Sequence, residues 1–82
     1  MNKVIAVHAE PEGRVFVEMA DGRRGLFDVR PYMRSDFFRE LENDAYFHQV
    51  RIFFQGIGWP NGQDLGPDTV AADLIEIGTL TA

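Results

Sequence analysis

The sequence predicts an α+β fold, in which one antiparallel sheet carries two packed helices in the order βββ-α-ββ-α. Three observations predict it: short runs of alternating apolar and polar residues, turn-forming dipeptides between these runs, and two segments with helical spacing. A chain of 82 residues has room for one hydrophobic core, so we expect a single domain over residues 1–82.

Three strands are predicted in the first 29 residues. Residues 3–9 form an apolar run of strand length, residues 14–20 alternate between apolar and polar side chains, and residues 23–29 provide the returning strand. A turn around Pro11 separates the first two strands. Asp21-Gly22 separates the last two and predicts a type I′ hairpin turn. The three strands therefore read as an antiparallel meander.

A helical region and a second strand pair follow the meander. Residues 35–47 predict one broken helix or two short ones, with Ser35 or Asp36 as the N-cap. Residues 49–54 alternate again, and residues 57–59 return after a tight turn. These strands complete the predicted sheet.

The last predicted helix begins at Gly66-Pro67, because proline is favoured at the first helical position. An apolar stripe continues from Val70 to Ile77, and Gly78 is a natural helix terminator. Residues 79–82 are expected to form a tail or an edge strand.

Charge is distributed unevenly along the chain. Residues 1–40 hold seven basic and seven acidic side chains, so the net charge of −5 lies entirely in residues 41–82. The Arg23–Arg39 segment contains five arginines and two aspartates, which suggests either an anion-binding or nucleic-acid patch or a solvated surface with paired charges. Direct nucleic-acid binding is disfavoured, because an acidic protein is repelled by DNA.

No apolar run approaches the length of a membrane span.

Residue types restrict the possible chemistry. The chain has no cysteine, which excludes disulfides, thiolate metal sites and cysteine nucleophiles. Ser35 is better explained as a helix cap than as a nucleophile, and His8 and His48 lack the spacing of metal ligands. We therefore expect no catalytic residue, metal or cofactor, and enzymatic activity is left open with a preference against it. Without cysteine staples or an export signal, the expected location is the cytoplasm.

Several polar and aromatic residues have two readings. Asp64 and Asp68, or Asp28 with either of them, could share a cleft for acid–base work. Alternatively, Asp28 and Asp64 could accept hydrogen bonds from backbone N–H groups at turns and caps. Trp59 could belong to the core, with its indole bonded to a carbonyl, or could anchor an interface. A Phe-rich stretch exceeds what one small sheet face buries easily, so part of it could be exposed as a contact surface. It consists of Phe37, Phe38, Phe47, Phe53 and Phe54.

A set of spaced motifs resembles a small, widespread bacterial and phage family known only as a domain of unknown function. The similarity covers about residues 3–77, and the Trp-Pro-Asn-Gly-x-Asp-Leu segment is its most specific part. The motifs are Asp21-Gly22, Phe27-Asp28-Val29, Phe38-x-x-Leu41, Phe47-x-x-Val50 and Trp59-Pro60-Asn61-Gly62-x-Asp64-Leu65-x-Pro67-Asp68.

The resemblance implies an α+β fold and no known catalytic residues. Some relatives carry a helix-turn-helix domain, which implies a sensing or dimerising module of a transcription regulator. Others stand alone beside a second small protein, an arrangement that resembles toxin–antitoxin pairs. Because this chain ends soon after residue 77, the stand-alone form is expected. The motif residues could equally serve folding alone, with Gly62 in a positive-φ turn and Asp64 as a cap before Pro67.

The leading hypothesis is a cytoplasmic, non-enzymatic protein-binding or regulatory module, antitoxin-like or accessory to a transcription regulator. It would bind a neighbour-encoded protein through the Phe-rich face or the acidic C-terminal half, or pair with a second copy as a homodimer. The first alternative is a small-ligand or anion site that uses the Arg23–Arg39 segment and Trp59, and the second is nucleic-acid binding. The candidate binding residues are Trp59, Asn61, Asp64, Asp28, Arg24 and Arg30.

Overall fold

The computed structural model describes residues 1–77 and combines antiparallel strands with short helices. Two 3₁₀ helices cover Arg30–Arg34 and Phe38–Glu42, and two α-helices are α1 (Asp44–Phe47) and α2 (Pro67–Ala72). The strands are β1 (Val4–Glu10), β2 (Arg14–Met19), β3 (Arg24–Asp28), β4 (Arg51–Phe53), β5 (Gly56–Gly58), β6 (Asp64–Leu65) and β7 (Ile75–Glu76). The α+β composition and the antiparallel strands are as the sequence predicted.

The first sheet has the strand order β1-β2-β3-β7, and its first three strands form the expected meander. The Asp21-Gly22 hairpin differs from the predicted turn. Gly22 has positive φ but Asp21 does not, and the Gly22 N–H donates to the Met19 carbonyl at 3.0 Å. The link is therefore a longer loop that ends in a left-handed glycine, not a two-residue type I′ turn.

The remaining strands form a second sheet, β4-β5-β6, in place of the single sheet that the sequence predicted. β4 and β6 occupy the two edges of β5, and β7 occupies the edge of β3. The sheets meet where the Val4 N–H donates to the Gln55 carbonyl at 2.8 Å. The β4–β5 turn thus abuts the start of β1 without extending its ladder.

The region after β3 contains more helical turns than expected, and they are shorter. The predicted helix over residues 35–47 divides into the 3₁₀ helix Phe38–Glu42 and α1, in agreement with the two-helix reading. The Asn43 side chain separates them by accepting from the Tyr46 N–H at 2.9 Å, which caps α1. The 3₁₀ helix Arg30–Arg34 was not predicted.

Helix α2 is shorter than the apolar stripe suggested. It begins at Pro67 as expected but ends at Ala72, and Ile75–Glu76 pairs with β3 instead of continuing the helix. Pairing at this sheet edge supplies hydrogen-bond partners for the main-chain N–H and C=O groups that were expected to bond within the helix. The proposed terminator Gly78 and the tail over residues 79–82 lie outside the described residues.

The core lies against the inner face of the first sheet and is closed by the helices and the second sheet. The buried apolar side chains include Val15, Val17, Met19, Phe27, Leu41, Phe47, Ile57, Trp59 and Val70.

Within residues 1–77, none of the helices has the length and apolar character needed to cross a bilayer.

Candidate functional site

The Trp-Pro-Asn-Gly motif forms a tight turn between β5 and β6. The Gly62 N–H donates to the Trp59 carbonyl at 3.0 Å, and the Trp59 N–H donates to the Gln63 carbonyl at 2.9 Å. Gly62 adopts a φ of 104°, which confirms the prediction that this position needs positive φ. The turn is a rigid support for the side chains that it carries.

Trp59 belongs to the core. Its side chain is 2% exposed, its indole N–H donates to the Phe47 carbonyl at 3.0 Å, and its ring centroid lies 5.7 Å from that of Phe47. The structure thus confirms the prediction that Trp59 lies in the core with its indole N–H bonded to a carbonyl. The ring is therefore not accessible as an interface anchor in this structure.

Asn61 and Gln63 tie the turn to the two helices that precede β4. The Asn61 amide nitrogen donates to both carboxylate oxygens of Glu40, at 3.0 and 2.8 Å. Gln63 is fully buried; its amide donates to Glu40 and to the Phe37 carbonyl, both at 3.0 Å, and its oxygen accepts from the Tyr46 hydroxyl at 2.6 Å. These residues form a satisfied polar network with a structural role.

The network changes the acidity of one carboxyl group. Hydrogen bonds from Asn61 and then Gln63 hold the pKa of Glu40 below its ordinary value of 4.5. Such bonds favour the ionised carboxylate, because it accepts more hydrogen bonds than the protonated acid. Glu40 is therefore an anion at neutral pH whose charge is already engaged within the protein.

Asp28 and Arg30 pair with each other at the end of β3. Asp28 accepts from the Arg30 backbone N–H at 3.0 Å and from two guanidinium nitrogens at 2.9 Å. This pairing, with the Arg30 side chain as its largest contributor, lowers the pKa of Asp28. The backbone-bonded reading of Asp28 is confirmed.

The structure does not bring together the other candidate residues. Asp64 is exposed in β6, opposite Gly58, and does not cap α2, whose N-cap position is Gly66. This corrects the predicted capping role. Arg24 is exposed on β3, and Trp59 is buried in the core. Arg30 lines a cleft that includes neither of them.

The arginines of the Arg23–Arg39 segment are dispersed. Arg23 and Arg30 lie just beyond opposite ends of β3. Arg23 bonds to Asp21 and to Asn2, and Arg39 lies 3.4 Å from Asp36. Most of these guanidinium groups therefore have a local acidic partner, as in the solvated-surface reading of the segment.

Some phenylalanines are exposed, although they do not form one face. Phe54 is 82% exposed at the β4–β5 turn, where its ring contacts Phe53 in a tilted arrangement with 4.5 Å between centroids. Phe37 is 55% exposed beside the second 3₁₀ helix and contacts Phe38 edge-on. Phe47 is buried. The Phe-rich stretch is thus divided between the core and two separate surface positions.

An open cleft with a volume of about 490 Å³ lies where the β1–β2 turn approaches the helices. Buried Leu41 and Phe47, with Met33, supply its apolar lining. Its polar lining consists of Glu12, Glu42, Asp44 and Arg30.

Local structure explains the shape of this cleft. Gly13 has positive φ, and the Arg30 stem lies so close that a Cβ at Gly13 would stand 2.6 Å from the Arg30 Cγ. The Val29 N–H donates to the Gly13 carbonyl at 2.9 Å and holds the turn in place. Arg30 is therefore folded over the turn with its charge paired to Asp28, and the carboxylates of Glu12, Glu42 and Asp44 also line the cleft.

Sequence reasoning missed the cleft and the polar network. Gln63 and Tyr46 carry no sequence signal for a shared contact, since 17 positions separate them. In the sequence, Glu42 and Asp44 are two of the acidic residues of the C-terminal half, and no local motif distinguishes them. The proximity of Glu12 to this pair depends on tertiary folding, and no local pattern indicates it.

Comparisons with known proteins place the chain in a family. No curated protein and no solved structure matches it. A family model described as "Protein of unknown function (DUF2442)" matches residues 4–76, which includes both sheets and nearly all the described residues. This match confirms the resemblance to a family of unknown function. The chain therefore belongs to the DUF2442 family.

Proposed function

We propose that this chain is a cytoplasmic, non-enzymatic binding module that takes a basic segment of a partner protein into the acidic cleft. The observation that carries the proposal is the combination of an apolar floor with a rim of Glu12, Glu42 and Asp44. A lysine or arginine side chain suits this arrangement, because its alkyl stem covers apolar surface while its charged end meets carboxylates.

The electrostatics support a cationic partner. Among the described residues that line the cleft, Arg30 is the basic one and its guanidinium is bonded to Asp28, while Glu12 lies 3.5 Å from Arg14. Glu42 and Asp44 are therefore the carboxylates that we assign to the charge of the partner. The chain as a whole carries a net charge of −5, which accelerates encounter with a basic protein and repels nucleic acid. A neighbour-encoded basic protein, neutralised in the manner of an antitoxin, is the partner that we propose.

The experiment compares two charge-matched variants in a pull-down from the native lysate. Glu42→Gln/Asp44→Asn removes two carboxylates from the cleft, whereas Asp36→Asn/Asp73→Asn removes two exposed carboxylates elsewhere. We expect the wild type and the control to recover the same stoichiometric basic protein. We expect the cleft variant to bind it at least about tenfold more weakly.

Thermal unfolding of each variant separates loss of binding from loss of folding. Equal recovery by the wild type and by a folded cleft variant would show that the cleft does not bind the partner. Recovery of no protein by the wild type, or of an acidic one, would contradict the proposed function itself.

A further inference from the structure

Three rows of side chains cross the outer face of the first sheet at right angles to its strands. The register pairs His8 with Phe16, Phe16 with Leu26, and Leu26 with Ile75, so these four residues form the middle row. The rings of His8 and Phe16 stack at 5.1 Å with an interplanar angle of 19°. Directly paired residues of neighbouring strands share a face, so the middle row is a continuous, mainly apolar stripe.

The stripe faces away from the core. Neighbouring residues along the same strands, such as Val15, Val17 and Phe27, are fully buried on the inner face. In contrast, Phe16 and Leu26 are half-buried, and Ile75 is 64% exposed. An apolar stripe of this length on the outer side of a sheet is typical of an interaction surface.

Charged rows flank the stripe on both sides. On one side the register aligns Glu10, Arg14 and Asp28 across β1, β2 and β3. On the other side it aligns Ala6, Glu18 and Arg24 in the same order of strands. On β2 the stripe therefore has Arg14 on the first side and Glu18 on the second. On β3 the order of charges is reversed, with Asp28 on the first side and Arg24 on the second.

We propose that this face binds a second copy of the chain, face to face, about a two-fold axis that runs along the stripe. Such an axis exchanges the two flanking rows and places each stripe residue against its own copy. Glu18 then faces Arg14 of the second copy, and Arg24 faces Asp28 of the second copy. The outer face is therefore complementary to itself in both charge and apolarity.

The dimer face borders the acidic cleft, because Asp28 is bonded to Arg30 and Arg14 lies 3.5 Å from Glu12, but it shares no lining residue with the cleft. The dimer therefore goes beyond the proposed function and is tested separately. A face of four short strands is small for an interface. Weak complexes bury less than roughly 1,200 Å², so the test covers dissociation constants from micromolar to millimolar. Sedimentation equilibrium of the wild type between about 10 μM and about 1 mM covers this range.

The decisive variant is Glu18→Arg/Arg24→Glu. The exchange keeps the net charge, and it keeps opposite charges at positions 18 and 24, which are neighbours within one chain. In the dimer, however, an arginine at position 18 would face Arg14 of the second copy, and a glutamate at position 24 would face Asp28 of the second copy. We expect the dissociation constant of the dimer to rise at least about tenfold, with the thermal midpoint of the monomer little changed.

A second variant tests the stripe itself. Ile75→Lys introduces a charge at an exposed stripe position, whereas Ile52→Lys changes an exposed isoleucine of the second sheet and serves as the control. We expect the first to prevent dimerisation and the second to leave it intact. The proposal is overturned if the wild type is monomeric at about 1 mM. It is also overturned if the folded Glu18→Arg/Arg24→Glu and Ile75→Lys variants dimerise as tightly as the wild type.

Discussion

Gln63 is the buried polar side chain on which the loop architecture depends. It has no solvent exposure, and its amide group bonds to Tyr46, Glu40 and the Phe37 carbonyl. A buried amide is tolerated because each of its polar atoms has a partner. Gln63 thereby connects the Trp59–Gly62 turn to the second 3₁₀ helix and α1. In the sequence it reads only as a loop residue between two turns.

The acidity of Glu40 predicts a pH dependence of stability at this network. Its folded-state pKa lies below 4.5, so the ionised carboxylate stabilises the folded protein fully above about pH 4.5. This contribution is lost as the pH falls through the lower, folded-state pKa. Glu40→Gln should therefore lower the thermal midpoint most at pH 6–7, and the difference from the wild type should shrink below about pH 4.

Thermal unfolding from about pH 3 to about pH 7 measures this difference, with Glu76→Gln as the control. Glu76 is exposed on β7, and no side-chain hydrogen bond to it is found among the described residues. A Glu40→Gln effect that is constant over this pH range would contradict the assigned hydrogen bonds.

At the scale of elements, β7 depends on a glycine in the strand beside it. A Cβ at Gly25 would stand 1.9 Å from the Ile75 carbonyl oxygen and 2.7 Å from the Glu76 Cα. Only glycine permits β3 and β7 to approach so closely, because the obstacle is backbone and cannot rotate away. The pairing of β7 with β3 therefore depends on Gly25, which lies fifty residues before Ile75 in the sequence.

Gly25→Ala should displace β7 and lower stability by about 1–3 kcal/mol, through crowding between the two strands. The Ile77 N–H donates to the Arg24 carbonyl at 2.9 Å, so its hydrogen exchange reports on this pairing. We expect exchange at Ile77 to accelerate strongly while amides between β1 and β2 stay protected. Gly66→Ala is the control, since a Cβ there meets open space. Unchanged protection at Ile77 in Gly25→Ala would contradict the close approach.

At the scale of the whole molecule, two sheets share one core. Trp59 follows the second sheet's central strand, and it lies in the same buried cluster as Phe27 of the first sheet. Buried side chains of both sheets belong to this one cluster, so the inner face of each sheet is covered with the help of the other. The sheets should therefore unfold as a single cooperative unit.

Urea unfolding followed by two signals tests this cooperativity. The fluorescence of the single tryptophan reports on the second sheet, and far-ultraviolet circular dichroism reports on all strands and helices. We expect coincident midpoints for the two signals, as in a two-state transition. A separate, earlier fluorescence transition would show that the second sheet unfolds independently.

The sequence by itself determined the local features of this protein. An apolar run, alternation and turn signals together placed β1 to β5 within a few residues. Pro67 marked the start of α2, and Gly62 indicated a positive-φ turn. For Trp59 the sequence allowed a core position, with its indole N–H bonded to a carbonyl, or an interface position, and the structure shows the first. These features follow from backbone preferences and side-chain periodicity, which act over a few neighbouring residues.

Only the tertiary structure decided which distant segments meet. The division into two sheets, the pairing of Ile75 with Leu26 and the acidic cleft all join residues that are far apart in the chain. Such contacts depend on the competition between sheet edges, on register and on space beside Gly25, none of which leaves a local pattern. The same holds for the outer face, where alternation predicts exposed residues but only the register aligns them into rows.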